Sequence, residues 1–476
     1  MSKRRTRDSR DHLSKTIFVG LLIAVVFAAL AHGAVEPWSV FVFEILIVGL
    51  LILWAIKVVA DGRFRLEVPP AAFPIGALVF VGLLQSVALT DAGGRWMSLS
   101  KNVGYTRSAV TVLIFLLLSF LIASNFIKTR ERLLVLGQFL VIYGLAMALF
   151  GLVQHFTWNG RFYWLRQTEA TSAFGPFANH NHFAGYMELL IPIPIALIIT
   201  RAVSAELRVL YAFAATMMGL AAVLSLSRGG IISIAASMMF LVLMSLRVTR
   251  RAKESSKRGH WKFASQAAVV IAIALVISAG IFWIGADPVL KRVTEGQASS
   301  AATEKETFFS SRGWVWRDTA AMIRANPLLG VGLGAYETAF SIYTKSDGSL
   351  RVPQAHNDYL QIVADAGIAG GLIALWFLFS IFRSIGRGTR SGDPLFAGLA
   401  LGCGSGIFAI LVHSVFDFNL QLPSNALLFL LLSAVVTTVG AAIGDQRGSA
   451  QKLSSRNSVK LERESVSSTS LVGGIS

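Results

Sequence analysis

Three short segments carry residues whose types and spacing suit chemistry on a phosphorylated substrate. Arg228 lies in Ser225-Leu226-Ser227-Arg228-Gly229-Gly230, where an apolar run begins and where Ser227 is placed to cap a helix. A helix N-terminus offers free backbone donors and a partial positive charge, and a guanidinium beside it adds a planar fork for phosphate oxygens. Such a site suits a diphosphate, although an arginine that snorkels to lipid headgroups would look the same in sequence. Arg312, in Ser310-Ser311-Arg312-Gly313-Trp314-Val315-Trp316-Arg317, could supply a second guanidinium or could lie on a solvated loop. His356 opens His356-Asn357-Asp358-Tyr359-Leu360-Gln361. A histidine can take a proton from a sugar hydroxyl, but one hydrogen-bonded at a helix start fits the same position.

Further polar residues gather near these three. Arg317 and Asn357 flank them and are candidate substrate contacts, as are His180, His182, His413 and Asp417. His413 and Asp417 stand four apart, share a helical face and could pair, either to orient the imidazole or to tie two helices together. His180 and His182, in Phe174-Gly175-Pro176-Phe177-Ala178-Asn179-His180-Asn181-His182, invite a metal reading. No carboxylate or third histidine stands at close ligand spacing, and a diphosphate held by arginines needs no cation, so no metal and no cofactor is expected. Gly330-Val331-Gly332-Leu333-Gly334 resembles a fragment of a dinucleotide loop without its strand or final glycine, and it reads as a turn.

The elements that must position these residues are membrane helices. The chain has 476 residues, is 54% hydrophobic and only 14% charged, whereas a soluble domain averages about a quarter charged. A large separate soluble domain is therefore excluded. Apolar runs lie near 16–31, 38–56, 71–89, 106–127, 133–154, 183–200, 209–226, 229–246, 265–285, 366–382, 395–415 and 425–443. They predict an all-α polytopic membrane protein with about twelve transmembrane helices, at about 20 residues a span. The net charge of +17 does not call for nucleic acid, because most Lys and Arg fall in segments that alternate to one side when the N-terminus is inside, as the charge rule for cytoplasmic loops requires. Cys403 is the single cysteine and lies in an apolar run, so no disulfide forms within the chain.

The resulting organisation is a basic cytoplasmic N-terminus at 1–15, transmembrane helices one to nine at 16–285, a long periplasmic loop at 286–365, helices ten to twelve at 366–443, and a disordered cytoplasmic tail at 444–476. The first segment can also be read as a signal peptide ending at Ala29-Leu30-Ala31. Within the loop, Trp316, Thr319, Met322 and Ile323 recur at helical spacing, with Arg317 and Arg324 on another face, which suits a helix lying along the membrane surface. No internal repeat and no pair of interrupted spans is evident.

The sequence resembles the O-antigen ligase and polymerase superfamily of bacterial membrane glycosyltransferases. The resemblance rests on Ser227-Arg228-Gly229, on Arg312-Gly313-Trp314 running into Asn326-Pro327-Leu328-Leu329-Gly330-Val331-Gly332-Leu333-Gly334, and on His356 to Gln361 followed by Ala366-Gly367-Ile368-Ala369-Gly370. A weaker block runs from His413 to Pro423. The resemblance implies a GT-C-like fold in the bacterial inner membrane, with its active site on the periplasmic side. It also implies inverting, metal-independent transfer of a glycan from undecaprenyl diphosphate to an acceptor, which is lipid A core, a second lipid-linked glycan or protein. Arg228 and Arg312 would then hold the diphosphate and His356 would act on the acceptor hydroxyl. A small-anion transporter and a non-catalytic partner in polysaccharide export are the competing readings, and the first 220 residues carry nothing that selects the acceptor.

Overall fold

Backbone polar groups in hydrocarbon can be satisfied only within helices or closed barrels, and the long apolar runs of this chain are helical. The computed structural model describes residues 2–90, 96–167, 173–253, 303–345 and 351–444. The helices are α1 (Ser2–Leu30), α2 (Pro37–Asp61), α3 (Ala72–Gln85), α4 (Val103–Phe126), α5 (Arg130–Phe156), α6 (His180–Leu190), α7 (Pro192–Ile199), α8 (Ala205–Leu224) and α9 (Arg228–Lys253). They continue with α10 (Thr303–Ala325), α11 (Tyr336–Tyr343), α12 (Asp358–Gly388) and α13 (Pro394–His413), and with α14 (Pro423–Gly444). Two small antiparallel hairpins, Ala88–Thr90 with Trp96–Ser98 and Arg161–Phe162 with Arg166–Gln167, are the strands among the described residues.

Ten of the predicted spans are present among the described residues as helices long and apolar enough to cross a membrane, with α6 and α7 together forming one. The chain is thus an all-α polytopic membrane protein. The run at 71–89 differs: α3 has 14 residues, which at 1.5 Å per residue reaches about 21 Å and falls short of a hydrocarbon core of roughly 30 Å. The run at 265–285, the first part of the 286–365 loop and the tail beyond Gly444 lie outside the described residues. The span predicted to start at 366 begins earlier, at Asp358, because Asn357 caps it with its side-chain oxygen on the Tyr359 and Leu360 amides. Hydropathy missed these turns because Asp358, Gln361 and Asp365 are polar yet buried against protein.

Interrupted helices, not expected from the sequence, are present twice. Pro192 separates α6 from α7, and α12 breaks its helical geometry at Gly367, where φ is +64°. That second break is filled by the glycine-rich turn. Val331 N and Gly332 N donate to the Ala364 and Asp365 carbonyls, while Ile368 N and Ala369 N donate to Pro327 and Leu328 carbonyls. The two backbones run so close that a Cβ on Gly367 would come within 2.3 Å of the Leu328 carbonyl carbon, and one on Gly330 within 2.5 Å of the Ala364 oxygen. Gln85 at the end of α3 completes the junction by donating to the Leu329 and Asp365 carbonyls and accepting from Leu333 N. The reading of this glycine segment as a turn holds, with positive φ at Gly330, Gly332 and Gly334.

A second close contact sets the core. Small residues let membrane helices approach until their backbones touch, and α13 repeats glycine every fourth residue. Cβ atoms at Gly398, Gly402 and Gly406 would lie within 3.0 Å of atoms in Leu197, Ile193 and Leu189 respectively. This stripe lays α13 along α6 and α7, and it brings His413 beside Glu188.

Helix α10 covers the predicted surface helix, but its apolar face is buried in protein. Val315, Met322 and Thr319 pack against Tyr336, Phe340 and Ala355, and Thr319 Oγ1 lies 2.6 Å from the Tyr336 hydroxyl. The face periodicity reads correctly from sequence; the surface that covers it does not, because α11 and the start of α12 are distant in the chain.

Gly367→Ala should be strongly destabilising. The left-handed backbone alone costs an L-residue about 1–2 kcal/mol, and the clash with Leu328 raises the expected loss to roughly 3 kcal/mol or more. Gly386→Ala, where a Cβ meets nothing within 4 Å, should be neutral or gain up to about 1 kcal/mol of helix propensity. Thermal unfolding in detergent separates the two, and equal melting temperatures would contradict the tight junction.

Candidate active site

The candidate residues meet around one turn. Helix α13 ends at His413, the chain reverses through Ser414–Phe418, and a 3-10 turn at Asn419–Gln421 leads into α14. Asp417, 1% exposed, sits at its centre. Its Oδ2 accepts from Asn181 Nδ2 at 2.7 Å and its Oδ1 from the Phe418 amide at 2.9 Å. Oδ1 also lies 3.5 Å from His356 Nδ1, too long for a formed hydrogen bond, and Nδ1 has no other partner. Such contacts commonly tighten when substrate binds. Burial alone would push the Asp417 carboxyl up, but the nearby His356, His182 and His413 imidazoles outweigh it and hold it well below the usual carboxylate range.

His356 is presented on strained backbone. Its φ of +50° is unfavourable for a side chain with a Cβ and persists only where surroundings over-determine it. Those surroundings are specific. Trp316 Nε1 donates to the Ala355 carbonyl at 3.0 Å, and Ala355 N donates to Gln361 Oε1 at 2.8 Å. On the other side, Asn357 Nδ2 donates to the Val415 carbonyl at 3.0 Å and Asp358 N to the Ser414 carbonyl at 2.9 Å. The His356 side chain remains 34% exposed, so its ring is open to an incoming group.

Arg312 reaches the same turn from α10, donating from Nη1 to the Phe416 carbonyl at 2.6 Å. Burial lowers its pKa and the field of Asp417 raises it, but a guanidinium remains a cation in proteins. Arg228 is the first residue of α9 and is exposed. Leu226 before it has φ +59°, and Ser227 Oγ accepts from Gly230 N at 3.1 Å, the predicted cap. A Cβ on the adjoining Gly229 would stand 2.8 Å from the His413 ring and 3.5 Å from Phe416 Cβ. The beginning of α9 therefore abuts the turn that Arg312 grips.

The remaining candidates divide. His182 Nδ1 lies 3.2 Å from Asn419 Oδ1, and its ring and that of His356 both pack on Phe418, with centroids 4.8 and 5.0 Å away. His413 does not pair with Asp417; its Nδ1 faces both oxygens of the buried Glu188 at 3.1 and 3.2 Å. The helix ends at His413, so Asp417 does not lie on its face, and the glycine stripe on α13 offers Glu188 as the nearer carboxylate. His180 is the first residue of α6, two before His182, and so turns to a different face. Asn357 has its amide committed to capping α12 and to Val415. Arg317 is exposed and pairs with its neighbour Asp318 at 2.9 Å, pointing to no shared contact with the turn. Among the described residues no three His, Cys, Asp or Glu side chains are placed to share a metal ion.

Asn181, Asn419 and the pairing role of Glu188 were not read from the sequence. Asn181 lies inside the histidine segment already noted; Asn419 gives no local signal, and only the fold shows that a Cβ on Gly185 would collide with its amide.

On the other side of the turn lies an apolar cavity of about 1000 Å³, counted out to open solvent, between α3, α4, α12, α13 and α14. Leu78, Leu113, Ile362 and Phe377 are among its walls, while Asp358, Tyr359, Ser414 and Gln421 mark its polar end. There Asp358 Oδ2 accepts from Ser414 Oγ at 2.8 Å and Leu420 N at 3.3 Å, and its Oδ1 is unpartnered.

Residues 213–375 match the family model described as O-antigen ligase. Over that stretch, about a third of its length, the chain is similar to the O-antigen ligases. The matched stretch runs from within α8 into α12 and contains Arg228, Arg312 and His356, whereas α1–α7 and the turn at 413–417 lie outside it. No curated protein matches the chain. This similarity points broadly to glycan transfer of the ligase or polymerase type, and the ten long apolar helices to a multi-pass membrane protein.

Asp417 gives the protein a pH signature. Its carboxyl titrates lower in the folded than in the unfolded chain, so its contribution to stability is fully present above the unfolded carboxylate value of about 3.9. That contribution is lost as pH falls through the lower folded value. Asp417→Asn should therefore be less stable than wild type at neutral pH and show a shallower loss of stability in acid. Melting curves in detergent from neutral to acid pH test this; parallel curves for the two proteins would refute it.

Proposed function

We propose that the protein transfers a glycan from undecaprenyl diphosphate to an acceptor hydroxyl at the periplasmic face, with inversion and without a metal. The observation that carries this reading is the convergence of Arg312 and His356 on the single turn His413–Phe418, against which the start of α9, bearing Arg228, also packs. In the proposed step, His356 Nε2 takes the acceptor proton while Nδ1 faces the Asp417 carboxylate, which steadies the imidazolium that forms. The acceptor oxygen bonds to the anomeric carbon from one side as the carbon–oxygen bond to the diphosphate breaks on the other. The diphosphate leaves with the electron pair, and the two guanidiniums offset its charge. Electrostatic stabilisation of this kind contributes most where donors are already in place.

The apolar cavity beside Asp358 and Tyr359 supports a lipid-borne substrate, since it runs from the turn down into the helices and is walled by apolar side chains. A small-anion transporter would keep its ionisable groups near the bilayer midplane, whereas this cluster gathers at helix ends, where α9 begins and α13 finishes.

Full-length protein reconstituted with a purified undecaprenyl-diphosphate glycan and lipid A core, in buffer containing chelator, should form the transferred product. His356→Ala should lower the rate about 10²–10⁴-fold, the range for loss of a general base. Arg312→Lys should also lose activity, because an ammonium keeps the charge but not the fork. Folded protein with no transfer to any lipid-linked or lipid A acceptor would sink the proposal. The surface glycan of a deletion strain then identifies the acceptor: loss of all long chains from lipid A core indicates a ligase, and a single retained repeat indicates a polymerase.

A further inference from the structure

At the opposite end of the bundle from the candidate active site, Ser14 of α1, the start of α5 and the ends of α2 and α4 surround a polar recess of about 1300 Å³, counted out to open solvent. Five cations line it against two carboxylates, and both carboxylates are already engaged by lysine. Lys57 pairs with Asp61 one helical turn on, and Lys128 pairs with Glu67 at 2.7 Å. Three guanidiniums are left. Arg132, only 17% exposed in its side chain, donates Nη1 to the Phe126 carbonyl at 2.8 Å and has its nearest carboxylate, on Asp11, 4.0 Å away. Arg63 and Arg65 are exposed and enter no ion pair among the described residues.

Basic residues at helix ends are the ordinary signal that orients a membrane protein, but that signal needs only charge on a loop. Here one guanidinium is half-buried in the wall of a concavity and two more stand at its rim, which is the arrangement that takes up an anion. The rim is also amphipathic. Trp54 and Val58 of α2, both partly exposed, line the recess beside the cations. A free phosphate would leave that apolar edge uncovered, whereas an amphiphile would cover it.

We infer that this recess binds an anionic membrane phospholipid, with its phosphate held by Arg63, Arg65 and Arg132 and its acyl chains lying against Trp54 and Val58. Basic pockets between membrane helices are the chemistry that takes up acidic lipid headgroups. The assignment is independent of the transferase reading, since the site stands at the far end of the helices.

The test uses full-length protein in nanodiscs of phosphatidylcholine alone or with phosphatidylglycerol, read by thermal unfolding and by native mass spectrometry of co-purified lipid. Wild type should be stabilised by phosphatidylglycerol and retain it. Arg63→Gln/Arg65→Gln, which breaks no ion pair of the fold, should retain it at least about tenfold less, on the order of the attraction lost with two surface cations. Arg383→Gln/Arg387→Gln removes the same charge from exposed positions of α12 on the same side and should bind as wild type. Equal retention by the Arg63/Arg65 variant, or equal loss in the Arg383/Arg387 variant, would overturn the site. Stabilisation by inorganic phosphate in phosphatidylcholine nanodiscs, matching that of phosphatidylglycerol, would make the occupant a free anion and overturn the lipid assignment.

Discussion

A carboxylate buried at the end of a membrane helix is the constraint around which this protein is arranged. Taking Asp417 out of water costs several kcal/mol unless charged or hydrogen-bonding partners surround it. Besides the adjoining Phe418 amide and His413, those partners come from distant elements: Asn181 and His182 from α6, and His356 from the segment before α12, with Arg312 of α10 on the adjacent carbonyl. Elements separated by more than two hundred residues must be in place together before Asp417 is satisfied. The same requirement that stabilises the turn therefore assembles the guanidinium and the imidazole beside it.

Backbone proximity makes that assembly possible. The glycine stripe of α13 lets it lie against α6 and α7, so Glu188 meets His413 and the turn projects toward the beginning of α9. Gly185 and Gly229 leave room for Asn419 and for the His413 ring. A methyl group at either position would push the turn away from its partners. Packing and polar chemistry here are one arrangement, because the polar contacts are long-range and only glycine contacts are short enough to allow them.

Much of this was legible in the sequence where the signal is local. Apolar length gave the spans, Ser227 gave the cap of α9, and Arg228, Arg312 and His356 stood in recognisable blocks. Signals failed where a residue's role depends on a distant partner. The four-residue spacing of His413 and Asp417 predicts a shared helical face, yet α13 ends at His413, whose ring faces Glu188 of α6. Gln85 reads as one polar residue ending an apolar run, but it ties α3 to Leu329, Leu333 and Asp365. The start of α12 was misread because hydropathy counts Asp358 and Asp365 as wet, and protein rather than lipid surrounds them.

The junction between residues 327–334 and the broken turn of α12 has a mechanical consequence. Its backbone amides are bonded across the gap in both directions, and Gly330 and Gly367 leave no slack between the strands of chain. A flap hinged here would have to break those bonds in a place where few alternatives exist. Residues 327–334 and the helix they grip thus travel as one stiff unit.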